Sequence, residues 1–228
     1  RVARKNEEVQ FSEETKERIQ SSRRKLETAA KGEVAVYGVN TGFGKFSEVK
    51  INKEELKELQ RNLIISHACG VGNPMKKEEV RAMMLLRINA LSRGFSGIRL
   101  ETVDTLRMML NAKVHPVVPE KGSLGASGDL APLAHMVLTL IGEGNAEYLG
   151  EVMTSKEAMN KAGLKPVVLE AKEGLALING TQALTGIGAL AFYDAKLTLM
   201  SANLSAALTM EALRGITTAF DRRLHEVR

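Results

Sequence analysis

The stretch Gly122–His135, GSLGASGDLAPLAH, contains the residues whose types and spacing best suit an unusual chemistry. Glycine stands at every third position of its first half, which frees the backbone for conformations that a Cβ excludes. If the amide nitrogen of Gly128 attacks the carbonyl carbon of Ala126, a five-membered ring closes with loss of water. Loss of the Ser127 hydroxyl as a second water then leaves an electron-poor exocyclic methylene group. The stretch can therefore form an electrophile from its own backbone.

The same tripeptide, Ala-Ser-Gly, has two other interpretations. It is also typical of a glycine-rich turn before a buried helix, because Leu130–Leu140 is apolar and either Ser127 or Asp129 can cap it. A phosphate-binding loop is the third interpretation, although the Gly-Lys-Ser/Thr ending of that motif is absent. The choice among the three depends on the other motifs of the chain.

The composition is that of an ordinary soluble globular protein. The 228 residues are 44% hydrophobic and 26% charged, which suits one large domain or two small ones. The net charge is only +5, and the basic pairs alternate with acidic residues, so we expect no nucleic-acid partner. The single cysteine, Cys69, excludes an internal disulfide and fits a reducing compartment. With no signal peptide visible, these features predict a cytoplasmic protein.

Helical periodicity recurs along most of the chain and predicts a mainly α fold with a few short strands. In the predicted helix from Lys76 to about Arg93, Arg87 and Asn89 interrupt the apolar surface and need partners if they are buried. Extended segments are predicted before and after the helical ones, and a hairpin is predicted at Tyr148–Val152 around Gly150. The remaining predicted helices cover 12–31, 52–65, 100–110, 130–140, 155–163 and 183–213.

The last of these, Ala183–Leu213, is apolar nearly all round. Such a helix lies either in a membrane or at the centre of a helical bundle. Asp194 and Lys196 interrupt it at mid-length, and no basic flank follows the rules of membrane topology. Its many Gly, Ala and Ser residues suit close approach between helices. We therefore predict a central bundle helix, partly covered by other subunits, and no membrane partner.

Four sequence strings, in this order and at these separations, resemble the histidine and aromatic amino acid ammonia-lyases. Two further strings extend the resemblance over nearly the whole chain. It implies a helical fold, a homotetramer with active sites shared between subunits, and non-oxidative removal of ammonia from an α-amino acid. The four strings are YGVNTGFG (37–44), SHACGVG (66–72), GSLGASGDLAPLAH (122–135) and LALINGTQA (175–183), and the two others are LLRINALSRGFSGIR (85–99) and EALRGITTAFDRRLHEVR (211–228).

The resemblance also implies a prosthetic group, 4-methylidene-imidazole-5-one, made from Ala126-Ser127-Gly128 without an external cofactor or a metal. Asp129 matches a position that assists ring formation, and Asn179 matches an asparagine near the group; each is also a plausible helix cap. Tyr37 matches a loop tyrosine proposed to take the substrate's β-proton, and its alternative is a packed core tyrosine. A phenol is a weak base, so that role needs a nearby cation or helix N-terminus.

The pair Ser66-His67 carries the prediction of the substrate. At this position, Ser-His resembles the pair in the histidine-specific members. The pair in tyrosine-specific members resembles His-Leu, and the pair in phenylalanine-specific members resembles Phe-Leu. An imidazole can form a hydrogen bond with a substrate imidazole and reject an apolar phenyl ring. A satisfied buried histidine is the simpler alternative. The sequence thus predicts conversion of L-histidine to trans-urocanate; a tyrosine or phenylalanine ammonia-lyase or 2,3-aminomutase, and a non-catalytic helical assembly domain, stay open.

The resemblance further implies that residues 1–228 are the N-terminal portion of a longer chain. The sequence begins with Arg1, and its last residues carry no helix stop signal. The C-terminal part of family members supplies a second tyrosine, an arginine and a glutamate of the active site. We therefore expect these residues alone to be inactive, and we leave open whether the ring forms in them, because cyclisation needs compression by the full fold.

Overall fold

The computed structural model describes residues 1–31, 36, 38, 39, 41, 53–124 and 128–227. The chain divides into two compact units, residues 1–187 and 188–228. The prediction of a mainly α fold with a long helix and a few short strands is confirmed. The helices of the first unit are α1 (Val2–Lys5), α2 (Glu13–Lys31), α3 (Lys53–His67), α4 (Lys77–Leu91), α5 (Leu100–Asn111), α6 (Leu130–Leu140), α7 (Ser155–Lys161) and α8 (Glu173–Ile178).

In the described part of the chain, five short strands form two small antiparallel sheets. β1 (Val71–Pro74) pairs with β3 (Pro119–Lys121). β2 (Val114–Pro116), β4 (Asn145–Tyr148) and β5 (Glu151–Thr154) form the second sheet, with β4 in the middle. The predicted hairpin is confirmed between β4 and β5. Its two turn residues, Leu149 and Gly150, both have positive φ, at 52° and 94°, which is the backbone of a tight two-residue hairpin turn.

The core of the first unit is built around α4 and α6. Both helices carry apolar residues on more than one side, as their sequences predict, and these residues are almost fully excluded from solvent. Their burial supplies the main driving force for the fold. It also fixes the two helices that bear on the candidate site. The buried side chains are Val80, Met83, Met84, Ile88 and Leu91 on α4 and Leu133, Met136, Val137 and Leu140 on α6.

The long helix, α9, spans Gln182–Ala212, close to the predicted 183–213. It begins in the first unit and continues into the second, which also contains a 3₁₀ turn at Thr217–Phe220 and α10 (Arg222–His225). Within the described residues, one helical stretch, Glu173–Ala212, is long and apolar enough to cross a membrane. Large apolar side chains such as Phe192 and Leu199 are exposed along α9 in the single chain. Coverage by other subunits stays a prediction.

Candidate active site

Gly128 lies in a position that only glycine can occupy. Its φ is +120°, in the region that L side chains rarely adopt. A Cβ built on it would overlap the carbonyl oxygen of Gly180 and lie 2.8 Å from the carbonyl carbon of that residue. Gly128, the described end of the Ala-Ser-Gly tripeptide, therefore packs directly against the backbone of the turn between α8 and α9. This glycine-only contact fits a group closed through the Gly128 nitrogen.

The other ring-forming residues, Ala126 and Ser127, lie outside the described residues, and so does Tyr37. Their roles in ring formation and in proton transfer stay predictions. Gly128, Asp129, Asn179, Ser66 and His67 are described.

Asp129 links the segment before α6 to the start of α9. Its backbone N–H donates to the carbonyl oxygen of Gly180 at 2.6 Å. One carboxylate oxygen accepts from Ser123 Oγ at 2.8 Å, and the other accepts from the backbone N–H of Leu184, also at 2.8 Å. A carboxylate at this end of α9 is favourable because the first amides of a helix carry partial positive charge.

The predicted helix cap at Asp129 is thus correct in position but wrong in partner. Asp129 occupies the N-cap position of α6, yet its side chain makes no hydrogen bond to that helix. It caps the first turn of α9 instead. The side-chain cap of α7 is Thr154, the residue before the helix, whose Oγ1 accepts from the backbone N–H of Glu157.

Asn179 ends α8 and immediately precedes Gly180. Its backbone N–H donates to Leu175 at 3.1 Å, which completes the last turn of the helix. The residue is exposed in the single chain. Because Gly180 touches Gly128, the fold brings the Asn179 backbone and the end of the tripeptide to the same place. The predicted role of the Asn179 side chain beside a prosthetic group stays a prediction.

Arg87, on α4, belongs to the same region and was not among the predicted site residues. Its guanidinium donates to the carbonyl oxygen of Asn179 at 3.2 Å, to Gln182 Oε1 at 2.7 Å, and to the carbonyl oxygen of Ala176. Burial lowers the pKa of Arg87 to about 10, so the side chain is still charged at neutral pH. The sequence carried one signal of this role, a charged residue in an apolar helix surface that needs partners.

Ser66 and His67 lie at the end of α3. His67 Nδ1 is 2.8 Å from the carbonyl oxygen of Leu63 and 3.1 Å from Ser66 Oγ, and Ser66 Oγ also donates to Leu63 at 2.9 Å. Because a carbonyl oxygen only accepts, we assign the hydrogen of neutral His67 to Nδ1. Its Nε2 then keeps a lone pair. The arrangement makes His67 an acceptor for an N–H or O–H group of a ligand.

A second histidine, His135, joins the segment after His67 to α6, the helix that follows the tripeptide. His135 Nε2, on α6, accepts from the backbone N–H of Gly70 at 3.0 Å, and burial lowers the pKa of His135, which favours this neutral acceptor. A Cβ on Gly122 would lie 2.9 Å from Gly70 Cα. The two sequence strings that contain His67 and Gly128 are therefore neighbours in space.

No metal-binding cluster is found in the part of the chain that the structure describes. A group of at least three His, Cys, Asp or Glu side chains that could hold an ion does not occur there.

Comparison with known families matches the whole chain to one model. The model described as aromatic amino acid lyase matches residues 1–228. The histidine ammonia-lyase of Alkaliphilus oremlandii is 62% identical over 227 residues, covering 100% of this chain and 45% of that protein. The histidine ammonia-lyase of Clostridium tetani is 60% identical, covering 100% of this chain and 44% of that protein. The chain thus spans less than half the length of these relatives.

Solved structures of the same fold differ in the substrate that their names state. The phenylalanine aminomutase of Pantoea agglomerans matches with a TM-score of 0.92 and 39% identity, over 100% of this chain and 44% of that one. The histidine ammonia-lyase of Trypanosoma cruzi matches with a TM-score of 0.90 and 38% identity, over 100% and 44%. The fold alone therefore does not choose among these substrates.

Proposed function

Because this chain belongs to the aromatic amino acid lyase family, we propose that it is the N-terminal portion of a histidine ammonia-lyase that converts L-histidine to trans-urocanate and ammonia. The observation that carries the proposal is 62% identity to a histidine ammonia-lyase over the whole length of the chain. The aminomutase structures stand at lower identity, 39% for the phenylalanine enzyme of Pantoea agglomerans. A tyrosine or phenylalanine lyase or aminomutase is the second candidate.

The prosthetic group is proposed to form from Ala126, Ser127 and Gly128. When formed, 4-methylidene-imidazole-5-one supplies an electrophile that makes the departure of ammonia easier. The glycine-only contact of Gly128 with Gly180 supports this assignment. The backbone N–H of Asp129 donates to Gly180 and so holds the Gly180 backbone in place. Asn179 precedes Gly180 in the chain and therefore lies in the same region.

The elimination also needs a base for the β-proton of the substrate, which is far from acidic. Tyr37 takes this proton in the proposed mechanism, on the strength of its motif. The amino group leaves from the neighbouring carbon with the bonding electrons, and the double bond of the product forms between the two carbons. Neither an oxidant nor a reductant is required.

Specificity for histidine is assigned to His67, supported by Ser66. With Nδ1–H directed to Leu63 and Ser66, the Nε2 lone pair of His67 accepts the N–H of a substrate imidazole. A phenyl ring has no such donor, so phenylalanine would leave the acceptor unpaired in a desolvated site. The phenol of tyrosine does have a donor, and the test of the proposal therefore includes tyrosine.

The remaining parts of the proposal concern assembly and location. The protein forms a homotetramer in the cytoplasm, without nucleic-acid or membrane partners. The exposed apolar side chains of α9 support association with further helices, because a soluble chain rarely leaves so extended an apolar surface uncovered. The single cysteine supports a reducing compartment.

The test uses the full-length protein, meaning this chain continued by the C-terminal portion that the proposal assigns to it. Product absorbance in the ultraviolet is followed with histidine, tyrosine and phenylalanine side by side, and we expect turnover of histidine. Replacing Ser127 with Ala should abolish it. No turnover by the parent would support the non-catalytic assembly domain, and full activity of Ser127→Ala would contradict the proposed prosthetic group. Urocanate formation by residues 1–228 alone would contradict the assignment of the chain as an incomplete enzyme.

A further inference from the structure

Arg87 is a buried cation whose described partners are all neutral. Only 5% of the residue is exposed, and its partners are two backbone carbonyls and the amide oxygen of Gln182. Among the described residues, no carboxylate pairs with it. Its Nε has no hydrogen-bond partner there either. An arginine buried without a counter-charge lowers the stability of a fold, so its presence at this position suggests a role beyond stability.

The place of Arg87 is defined by Gly180, which lies between Arg87 and Gly128. A Cβ on Gly128 would overlap the backbone of Gly180, and a Cβ on Gly180 would overlap Arg87 Nη1 and Gln182 Oε1. Gly180 is thus in close contact both with Gly128, the last residue of the tripeptide, and with the guanidinium of Arg87. Its carbonyl oxygen also accepts from Asp129, which fixes its orientation.

Arg87 also joins the two helix ends that flank this glycine. Through Ala176 and Asn179 it binds carbonyl oxygens at the end of α8, where the helix dipole favours a positive charge. Through Gln182 it binds the first residue of α9. One side chain therefore sets the path of the whole turn from Asn179 to Gln182.

From this arrangement we propose that Arg87 is a positioning residue for ring closure, holding the 179–182 turn against Gly128 so that the Gly128 nitrogen stays in reach of the Ala126 carbonyl carbon. The inference rests on the proposed function, because it assumes that the ring forms. In the closure, the Gly128 nitrogen bonds to the Ala126 carbon, and the carbonyl oxygen leaves as water with the amide hydrogens of Ser127 and Gly128. The Ser127 hydroxyl and Cα hydrogen leave as the second water, and no oxidant is needed.

The size of the expected effect follows from the sensitivity of such reactions to geometry. A displacement of about 1 Å in a reacting group can slow a reaction roughly a hundredfold. Without the guanidinium, the turn loses the bonds to Asn179 and Gln182, and the preceding helix α8 loses the bond to Ala176. We therefore expect ring closure to be roughly a hundredfold slower in Arg87→Met.

Arg81 provides a matched control on the same helix. It is 1% exposed and its partners are also uncharged: the carbonyl oxygens of Val2 and Leu110, and His115 Nε2. None of these hydrogen bonds goes to the 179–182 turn or to Gly128. Arg81→Met therefore removes a comparable buried guanidinium from the same core without touching the turn.

The experiment follows ring closure by intact mass in the full-length protein. The parent, Arg81→Met, Arg87→Met and Arg87→Lys are expressed briefly, purified cold and warmed, and the fraction of chains lighter by two water molecules is measured with time. Thermal unfolding midpoints show whether the two methionine variants are equally destabilised. We expect Arg81→Met to dehydrate like the parent and Arg87→Met to lag. Arg87→Lys should also lag, because one ammonium group cannot span three acceptors on two helix ends.

Each outcome decides between the inference and its alternatives. Dehydration of Arg87→Met at the rate of Arg81→Met would overturn the positioning role. If Arg87→Met does not fold, Arg87→Lys decides, and dehydration at the parental rate would overturn the role in the same way. A parent that never loses the two waters would overturn the proposed function itself, and the inference with it, whereas a dehydrated parent with a dehydrated Arg87→Met removes only the role of Arg87.

Discussion

Asp129 donates its backbone N–H to the carbonyl oxygen of Gly180 over 2.6 Å, and this bond connects two segments far apart in the sequence. The segment that contains Asp129 also contains the tripeptide proposed to form the ring, and the segment that contains Gly180 also contains Asn179. The Asp129 carboxylate strengthens the same connection by accepting from Leu184, at the start of α9. The geometry of the candidate site thus depends on how closely these two backbones approach each other.

The first prediction concerns that approach. Gly128→Ala should lower the thermal midpoint and prevent the loss of two waters, because its Cβ would overlap Gly180. The overlap adds roughly 1–3 kcal/mol to the strain of a positive φ. Gly150→Ala is the control, since Gly150 also has a positive φ, 94°, but has nothing within 4 Å of the added Cβ. Equal midpoints and equal masses for the two variants would show that the contact with Gly180 does not matter.

The second prediction concerns substrate choice by His67. His67→Leu removes the Nε2 acceptor, so the ratio of kcat/KM for histidine to that for phenylalanine, which has no side-chain donor, should fall by about tenfold or more, which corresponds to the free energy of one hydrogen bond. Steady-state rates of the full-length protein measure the ratio. His135→Leu is the control, because His135 Nε2 already accepts from Gly70 and should affect stability without changing the ratio. An unchanged ratio in His67→Leu would contradict the proposed specificity.

The local structure could be predicted from the sequence because local signals define it. The observed bounds of α6, Leu130–Leu140, are those predicted, since an apolar run lies there between glycine-rich segments. The hairpin turn was marked by Gly150 in the same way. Long-range partners carry no such local signal. The sequence indicates that Asp129 can cap a helix, but not that the helix is α9 rather than α6.

Arg87 shows the same limit within the candidate site. Its position in an apolar helix surface predicts that it needs partners, yet two of those partners are backbone carbonyls, which every residue offers. Only the tertiary structure identifies them as Ala176 and Asn179. Conversely, Tyr37, Ala126 and Ser127 were assigned from sequence motifs alone, and their assignments stay predictions.

The third prediction is a loss of stability at acid pH caused by His115. Its Nε2 lies 3.0 Å from Arg81 Nη1, which can only donate, and its Nδ1 lies 3.2 Å from Glu147 Oε2, which also pairs with Lys77. Burial lowers the pKa of His115 to about 4, although Glu147 acts in the opposite direction. The folded protein therefore keeps His115 neutral at pH values where the unfolded chain binds a proton.

This difference fixes the sign and the pH window. The contribution of His115 is complete above pH ~6.5, the ordinary value of an unfolded histidine, and is lost as the pH falls towards 4. The stability lost in this way is roughly 2 kcal/mol by pH ~5. The thermal midpoint of the parent should thus fall more between pH 7 and 5 than that of His115→Gln, which cannot titrate. Parallel midpoints for the two proteins across this range would refute the assignment.

The fourth prediction tests the buried carboxylate at the start of α8, the helix that Asn179 follows. Glu173 is fully buried, and its oxygens accept from Arg99, through both the backbone and the guanidinium, at 2.7 to 3.1 Å. They also accept from Thr102 Oγ1 at 2.8 Å and from the backbone N–H of Glu170 at 2.9 Å. All of these partners are donors, so the site requires an acceptor with two oxygens.

Glu173→Gln should therefore be strongly destabilising although it changes a single atom. The new amide group would place its own hydrogens against Arg99 or Glu170 and leave a buried donor without an acceptor, which costs roughly 1–3 kcal/mol, although Arg99 keeps Glu101 and Glu170 as charged neighbours. Glu101→Gln is the matched control, because Glu101 pairs with the same Arg99 at 3.3 Å but its side chain is 71% exposed, and exposed pairs contribute little. Thermal unfolding of the two variants measures the difference. A similar midpoint for both would mean that solvent reaches the Glu173 site and that α8 is not fixed by this carboxylate, so that the alignment of Asn179 would have to depend on Arg87 alone.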